Sequence, residues 1–174
     1  MRPLVDAARL DAFLQAFGRA ADQPARVYLT GGATAVLLGW RSSTIDIDLK
    51  LVPELDSLFR AIPVLKESMQ VNVELASPDH FIPELPGWQE RSELAKSYGR
   101  VSFHHYDLYA QALAKIERGH EQDQFDVGTM LDRGLVQPAR LKELFEAIEP
   151  QLYRYPAIDP AAFRMAVDRA LANR

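Results

Sequence analysis

The stretch from Thr44 to Val52 alternates without a break, and that period most constrains what the chain can fold into. Ile45, Ile47, Leu49 and Leu51 fall on one side, and Thr44, Asp46, Asp48 and Lys50 on the other. Successive side chains of a strand point to opposite faces, so the segment reads as a half-buried strand. Asp46 and Asp48 then project from the same face. A second alternating strand runs from Gln70 to Leu75, with Val71, Val73 and Leu75 inward and Asn72 and Glu74 outward. Val27-Tyr28-Leu29 reads as a short strand that stops at Thr30-Gly31-Gly32, and Val101 to Tyr106 reads as the last strand.

Helices alternate with these strands. Leu10, Phe13, Leu14 and Phe17 recur at helical spacing, which predicts a helix from about Asp6 to Ala21, before Pro24. Ala33 to Leu38 reads as a short buried helix ending at Gly39. After Pro53, the residues Leu55, Leu58, Phe59 and Ile62 share one helical face. Ser77 to Trp88 is rich in turn residues and reads as an ordered loop. Asp107 is placed to cap a helix running to Arg118, and further helices follow at about 122–131, 138–148 and 160–172. The expected fold class is therefore α+β: a small mixed sheet flanked by helices over residues 1–106, and a helical part over 107–174 packed on it.

Bulk properties narrow the function. Of 174 residues 48% are hydrophobic, enough for a buried core. No apolar run approaches the ~20 residues that span a bilayer. The start, Met1-Arg2-Pro3-Leu4-Val5-Asp6, lacks the apolar stretch of a signal peptide, so a cytoplasmic location is expected. Cysteine is absent, which excludes disulfides and thiolate chemistry. A net charge of −4 argues against a generally basic nucleic-acid binder, and suits carboxylates gathered around a divalent cation.

The chemistry concentrates around residues 29–48. Two carboxylates on one strand face can share a hard cation such as Mg²⁺, which keeps waters and substrate phosphates as its other ligands. A solvent-facing strand side gives the same D-x-D pattern. Gly31-Gly32, between a strand and a helix, permits unusual backbone angles and lets a phosphate approach the main chain. The helix start near Ala33 adds free N–H groups. Other motifs are weaker. His104 and His105 point to opposite faces, so they do not converge on one ion. Arg91, Lys96 and Arg100 form a modest basic cluster, ordinary for a solvated surface. Neither a P-loop nor a G-x-G-x-x-G fingerprint occurs.

Leu29-Thr30-Gly31-Gly32 followed by Arg41-Ser42-Ser43-Thr44-Ile45-Asp46-Ile47-Asp48-Leu49 resembles the signature of the polymerase-β-type nucleotidyltransferase superfamily. The Gly-Gly form with Arg-x-x-Thr before D-x-D is similar to bacterial AbiEii-like, toxin-like nucleotidyltransferases. Ala114-Lys115-Ile116-Glu117-Arg118 and Gln122-Asp123-Gln124-Phe125-Asp126-Val127 resemble the later lysine and aspartate motifs of those families. The resemblance implies transfer of a nucleoside monophosphate from a triphosphate to a hydroxyl of tRNA or protein, with Mg²⁺ or Mn²⁺ as cofactor. It implies metal at Asp46, Asp48 and Glu74, with Glu74 as third carboxylate or base. It implies nucleotide contacts at Gly31, Gly32, Arg41, Thr44 and Lys115, and Asp123 near the site. It also implies a toxin–antitoxin or phage-defence role with an antitoxin partner. Gly32 stands where most of the superfamily has serine, which removes one hydroxyl. A non-catalytic nucleotide- or partner-binding module stays open beside the enzyme.

Overall fold

The computed structural model describes all of residues 1–174, and the chain divides into two compact units. The first comprises residues 1–77 and 92–106, and the second residues 78–91 and 107–174. The architecture is α+β, with eight α-helices, a five-stranded mixed sheet and a separate two-stranded sheet. No helix is long and apolar enough to cross a membrane.

The first unit is built on β1 (Val5–Asp6), α1 (Ala7–Ala20), β2 (Ala25–Thr30), α2 (Gly32–Leu38), β3 (Ser43–Thr44) and β4 (Asp46–Val52). It continues through α3 (Asp56–Ser68) and β5 (Asn72–Glu74), and after the excursion into the second unit it ends with β6 (Leu94–Tyr98) and β7 (Val101–His105). The main sheet has the order β5-β4-β2-β7-β6. β4 runs antiparallel to β2 and parallel to β5, the parallel pair being joined by α3.

One sheet face is apolar. Val27, Leu29, Ile47, Leu49, Val73 and Phe103 pack with Leu10, Phe13, Leu14 and Phe17 of α1 and Leu58 of α3. Asp6 caps α1 by accepting the Arg9 N–H at 2.9 Å, which satisfies one of the helix's orphan donors. The Phe13 and Phe17 rings stack with centroids 5.3 Å apart.

The alternation holds over β4 and breaks at its start. Ile45 is 69% exposed because β3 and β4 are not one strand. Thr44 pairs with Val5 of β1 in the two-stranded sheet, and Ile45 lies in the step between the two ladders. Leu75 is likewise turned out, since pairing of β5 with β4 ends at Glu74. The strand β6, and the two-residue β1, have no counterpart in the sequence reading. Neither alternates in hydropathy over a useful length.

His105 sits at the end of β7 on the apolar face, opposite Leu29 in the register, while His104 takes the other face. Its Nδ1 lies 3.1 Å from the Thr34 hydroxyl. Burial, with a smaller push from His104, lowers its pKa from 6.5 to about 4. Between these values only the unfolded chain binds the proton, so stability is complete above pH 6.5 and falls as the pH drops toward 4. The expected loss is about 3 kcal/mol across that window. Denaturant unfolding at pH 7 and pH 4.5 checks it: His105→Gln flattens the slope, whereas an unchanged slope contradicts the assignment.

The second unit contains α4 (Trp88–Arg91), α5 (Leu108–Arg118), α6 (Glu121–Asp132), α7 (Pro138–Ile148) and α8 (Pro160–Leu171). Its interior is formed by Leu113, Met130, Leu144, Phe145, Phe163 and Val167, with Phe145 and Phe163 edge to face at 4.9 Å. The stretch 78–91, expected as a loop of the first part, clusters with these helices instead. Two contacts account for that. Arg91 donates from Nε and Nη2 to Asp107 Oδ2 at 3.1 and 2.7 Å. The Tyr155 hydroxyl donates to the Asp79 carbonyl at 2.9 Å. Asp107 also caps α5 through the Tyr109 N–H.

Candidate functional site

The polar face of the main sheet carries the carboxylates. Asp46 and Asp48 are both half-buried, and they share this face because they are two apart on β4. In the parallel ladder with β5, Asp46 lies opposite Asn72 and Asp48 opposite Glu74, so all four project from the same side. Asp48 also lies opposite Thr30, the last residue of β2 before the glycine turn.

Asn72 donates from Nδ2 to Asp46 Oδ1 at 2.6 Å. The amide is held in turn from the N-terminus, where Arg2 Nη1 donates to the Val71 carbonyl at 2.7 Å and to Asn72 Oδ1 at 3.5 Å. One Asp46 oxygen is thus fixed by a neighbour on β5. The sequence placed Asn72 on this face and left its partner open; that partner is Asp46.

The two glycines are needed for different reasons. Gly31 has φ +61°, a conformation that L side chains rarely adopt, and a Cβ there would lie 3.1 Å from Asp48 Oδ2. The Asp48 carboxylate therefore reaches back over the glycine turn. Gly32 is excluded from carrying a side chain by Thr44, whose Oγ1 lies 1.9 Å from where a Cβ would stand. Arg41 approaches the same point, with Nη1 3.4 Å away. The turn, Thr44, Arg41 and Asp48 thus come together.

Glu74 differs from the two aspartates in being exposed, at the end of a three-residue edge strand. No group of three or more His, Asp or Glu side chains is set to hold one ion. The donor set nonetheless suits Mg²⁺, which is commonly held by one or two carboxylates and completed by phosphates and water rather than by a cage of protein ligands.

Lys115 and Asp123 belong to the second unit, where they are buried in an ionic cluster across the α5–α6 turn. Lys115 Nζ donates to Asp126 Oδ2 at 2.9 Å and lies 3.7 Å from Asp123 Oδ1. Arg118 grips Asp123 with two bonds of 2.7 and 2.6 Å, and Gln122 donates to the second Asp126 oxygen at 3.2 Å. Burial pushes the Asp123 carboxyl up, but Arg118, Lys115 and the His120 N–H outweigh it and hold the carboxyl below its ordinary range. Arg118 as the partner of Asp123 was missed from sequence. Its signal was there: cations at 115 and 118 and anions at 123 and 126 have matching three-residue spacing across Gly119.

The remaining sequence candidates disperse. Arg91 is committed to Asp107, Lys96 pairs with Asp11 at 3.3 Å, and Arg100 donates to the Asp22 carbonyl at 2.5 Å. A groove of about 780 Å³ in the second unit is lined by α5, α6, α8 and the 157–159 segment, and includes none of the expected site residues. Compared with family models, curated proteins and solved structures, the chain matches none.

Proposed function

We propose that the chain is a metal-dependent nucleotidyltransferase, moving a nucleoside monophosphate from a nucleoside triphosphate to an acceptor hydroxyl. The observation that carries this reading is the placement of Asp46 and Asp48 on one sheet face with the Asp48 carboxylate over Gly31. A divalent cation, Mg²⁺ or Mn²⁺, would be held by Asp46 and Asp48, where it would neutralise charge on the phosphates. In the transfer, the acceptor oxygen forms a bond to the α-phosphorus while the bond to the β-phosphate oxygen breaks, and pyrophosphate leaves. Glu74 would take the proton from the acceptor hydroxyl, and its exposure supports passing that proton on to solvent. The Gly31-Gly32 backbone receives phosphate, and Asn72 keeps Asp46 in one orientation.

The resemblance to toxin-like families extends the proposal. The acceptor would be a tRNA or a protein, the setting a cytoplasmic toxin–antitoxin or phage-defence system, and an antitoxin the protein partner. Co-purification with the product of the adjacent gene tests that part.

A second reading is a nucleotide- or partner-binding module without turnover. It is favoured by Lys115, which is 6% exposed and whose ammonium is already paired with carboxylates. Calorimetry of each nucleoside triphosphate with Mg²⁺ or Mn²⁺, run beside product analysis across acceptor pools, separates the two. The enzyme binds only with metal and yields a nucleotidylated product; the module binds and yields none. Absence of both nucleotide and metal binding contradicts both forms of nucleotide recognition.

A further inference from the structure

Gly128 lies inside α6, yet nothing in the chain's own packing requires glycine there. A Cβ at this position would meet only Arg174 Nη2, at 3.8 Å, an ordinary contact. Glycine in a helix interior is less stable than alanine, so the missing side chain leaves a space that the folded chain alone does not use. That space belongs to the groove of about 780 Å³ in the second unit. The Arg174–Asp132 ion pair brings the C-terminal ends of α6 and α8 together, so the two helices border the groove side by side in the same direction. Ile116, Val127, Leu131 and Phe163 are buried and form an apolar floor. The α8 wall presents Ala162, Ala166 and Ala170, four apart and therefore on one face. Small residues at such positions let another helix come close. The α8 side runs from Asp159 to Ala172, about 20 Å at 1.5 Å per residue. A helix about 10 Å across and of that length has half its volume near 800 Å³, which matches the groove.

The charges give the groove a direction. Glu117 is half-buried where α5 turns through Gly119 into the start of α6. Arg169 stands toward the other end, near the close of α8. Neither side chain has a hydrogen-bond or ion-pair partner within the chain. Burial pushes the Glu117 carboxyl above its ordinary range, against a smaller pull from Arg118. The other charges at the groove are already engaged: Asp159 caps α8, and Arg174 holds Asp132.

We propose that this groove docks an amphipathic α-helix of a protein partner, three to four turns long, with its N-terminal end and a basic residue at Glu117 and its C-terminal end and an acidic residue at Arg169. A helix carries partial positive charge at its N-terminus and partial negative charge at its C-terminus. In this direction its dipole and its charged side chains both meet opposite charge, and in the reverse direction both are opposed. Its apolar face covers the floor, and its backbone draws closest at Gly128 and the α8 alanines. The inference does not depend on the nucleotidyltransferase reading.

The test uses the full chain and two hydrocarbon-stapled amphipathic peptides of about 14 residues, the length of the groove. Both have the same leucine–alanine face. The first carries lysine in its first turn and glutamate in its last, and the second has these charges exchanged. Fluorescence anisotropy reads binding, with thermal unfolding and gel filtration of each protein alongside. The first peptide is expected to bind the parent about tenfold more tightly than the second, the scale of two partly screened charge pairs turned from attraction to repulsion. Glu117→Lys with Arg169→Glu is expected to reverse the preference. Gly128→Leu is expected to weaken both peptides by more than about tenfold while melting no lower than the parent, because leucine is the better helix former and the position is open. A parent that binds neither peptide, or both equally, overturns the proposal. So does a preference that survives the charge exchange, or parent-like binding by a folded Gly128→Leu. A parent dimer that Gly128→Leu dissociates gives the groove to a second copy of this chain and overturns the separate partner.

Discussion

Asp48→Ala is expected to cut nucleotide transfer by on the order of 10²–10³-fold, the loss seen when one group that stabilises transition-state charge is removed. The carboxylate is half-buried on the polar sheet face, lies opposite Glu74 and reaches over Gly31. Its side chain lies outside the apolar cluster of the core, so the variant is expected to remain folded. Asp46→Ala is expected to lose as much activity and to cost stability as well, because it strips Asn72 Nδ2 of its acceptor. Incorporation of labelled nucleotide, paired with thermal unfolding of each variant, reads both quantities. Activity near the parent's in either variant contradicts a metal site on β4.

The second large effect lies in the other unit. Asp126→Ala is expected to destabilise the protein by about 3–5 kcal/mol, since it leaves the buried Lys115 ammonium with only a distant carboxylate at 3.7 Å. For a chain of this size that corresponds to a fall in melting temperature of roughly 10 °C. Replacing both partners at once, Lys115→Met with Asp126→Leu, is expected to recover much of the loss, because the desolvation of two charges is then avoided as well. Thermal unfolding of the two single variants and the double checks this. A small effect in Asp126→Ala would show that the ammonium finds another anion, and would return Lys115 to the role that the sequence resemblance implies for it.

How much of this was legible depended on whether the local pattern or the long-range pairing decided the outcome. The β4 strand and its two acids were legible because a period of two needs no partner to be seen. The helices α1, α5, α7 and α8 were legible from their apolar stripes and from caps such as Asp107. Ile45 was not, because its exposure follows from the pairing of Thr44 with Val5, a contact across 39 residues of sequence that hydropathy does not encode. β6 was hidden for a related reason. Leu94-Ala95-Lys96-Ser97-Tyr98 forms an edge strand with half-exposed positions, so its composition resembles a loop. The segment 107–132 posed the opposite problem. Its mix of charges is one that a solvated helix surface also carries, yet Lys115, Asp123 and Asp126 are all buried, each charge meeting an opposite one across the α5–α6 turn. The glycine pair was legible as a turn. Its two distinct causes, the backbone angle of Gly31 and the collision of residue 32 with Thr44, required coordinates.

The central claim is that one face of β4 performs nucleotidyl transfer, and simultaneous measurement of nucleotide incorporation and pyrophosphate release tests it most directly. Each triphosphate, labelled at the α-phosphate, is incubated with the parent protein, Mg²⁺ or Mn²⁺, and pooled tRNA or protein acceptors. The account predicts one nucleotide incorporated per pyrophosphate released by the parent, and neither product above background from Asp46→Asn with Asp48→Asn. Equal incorporation by the parent and the double variant, or triphosphate bound without either product, would contradict it.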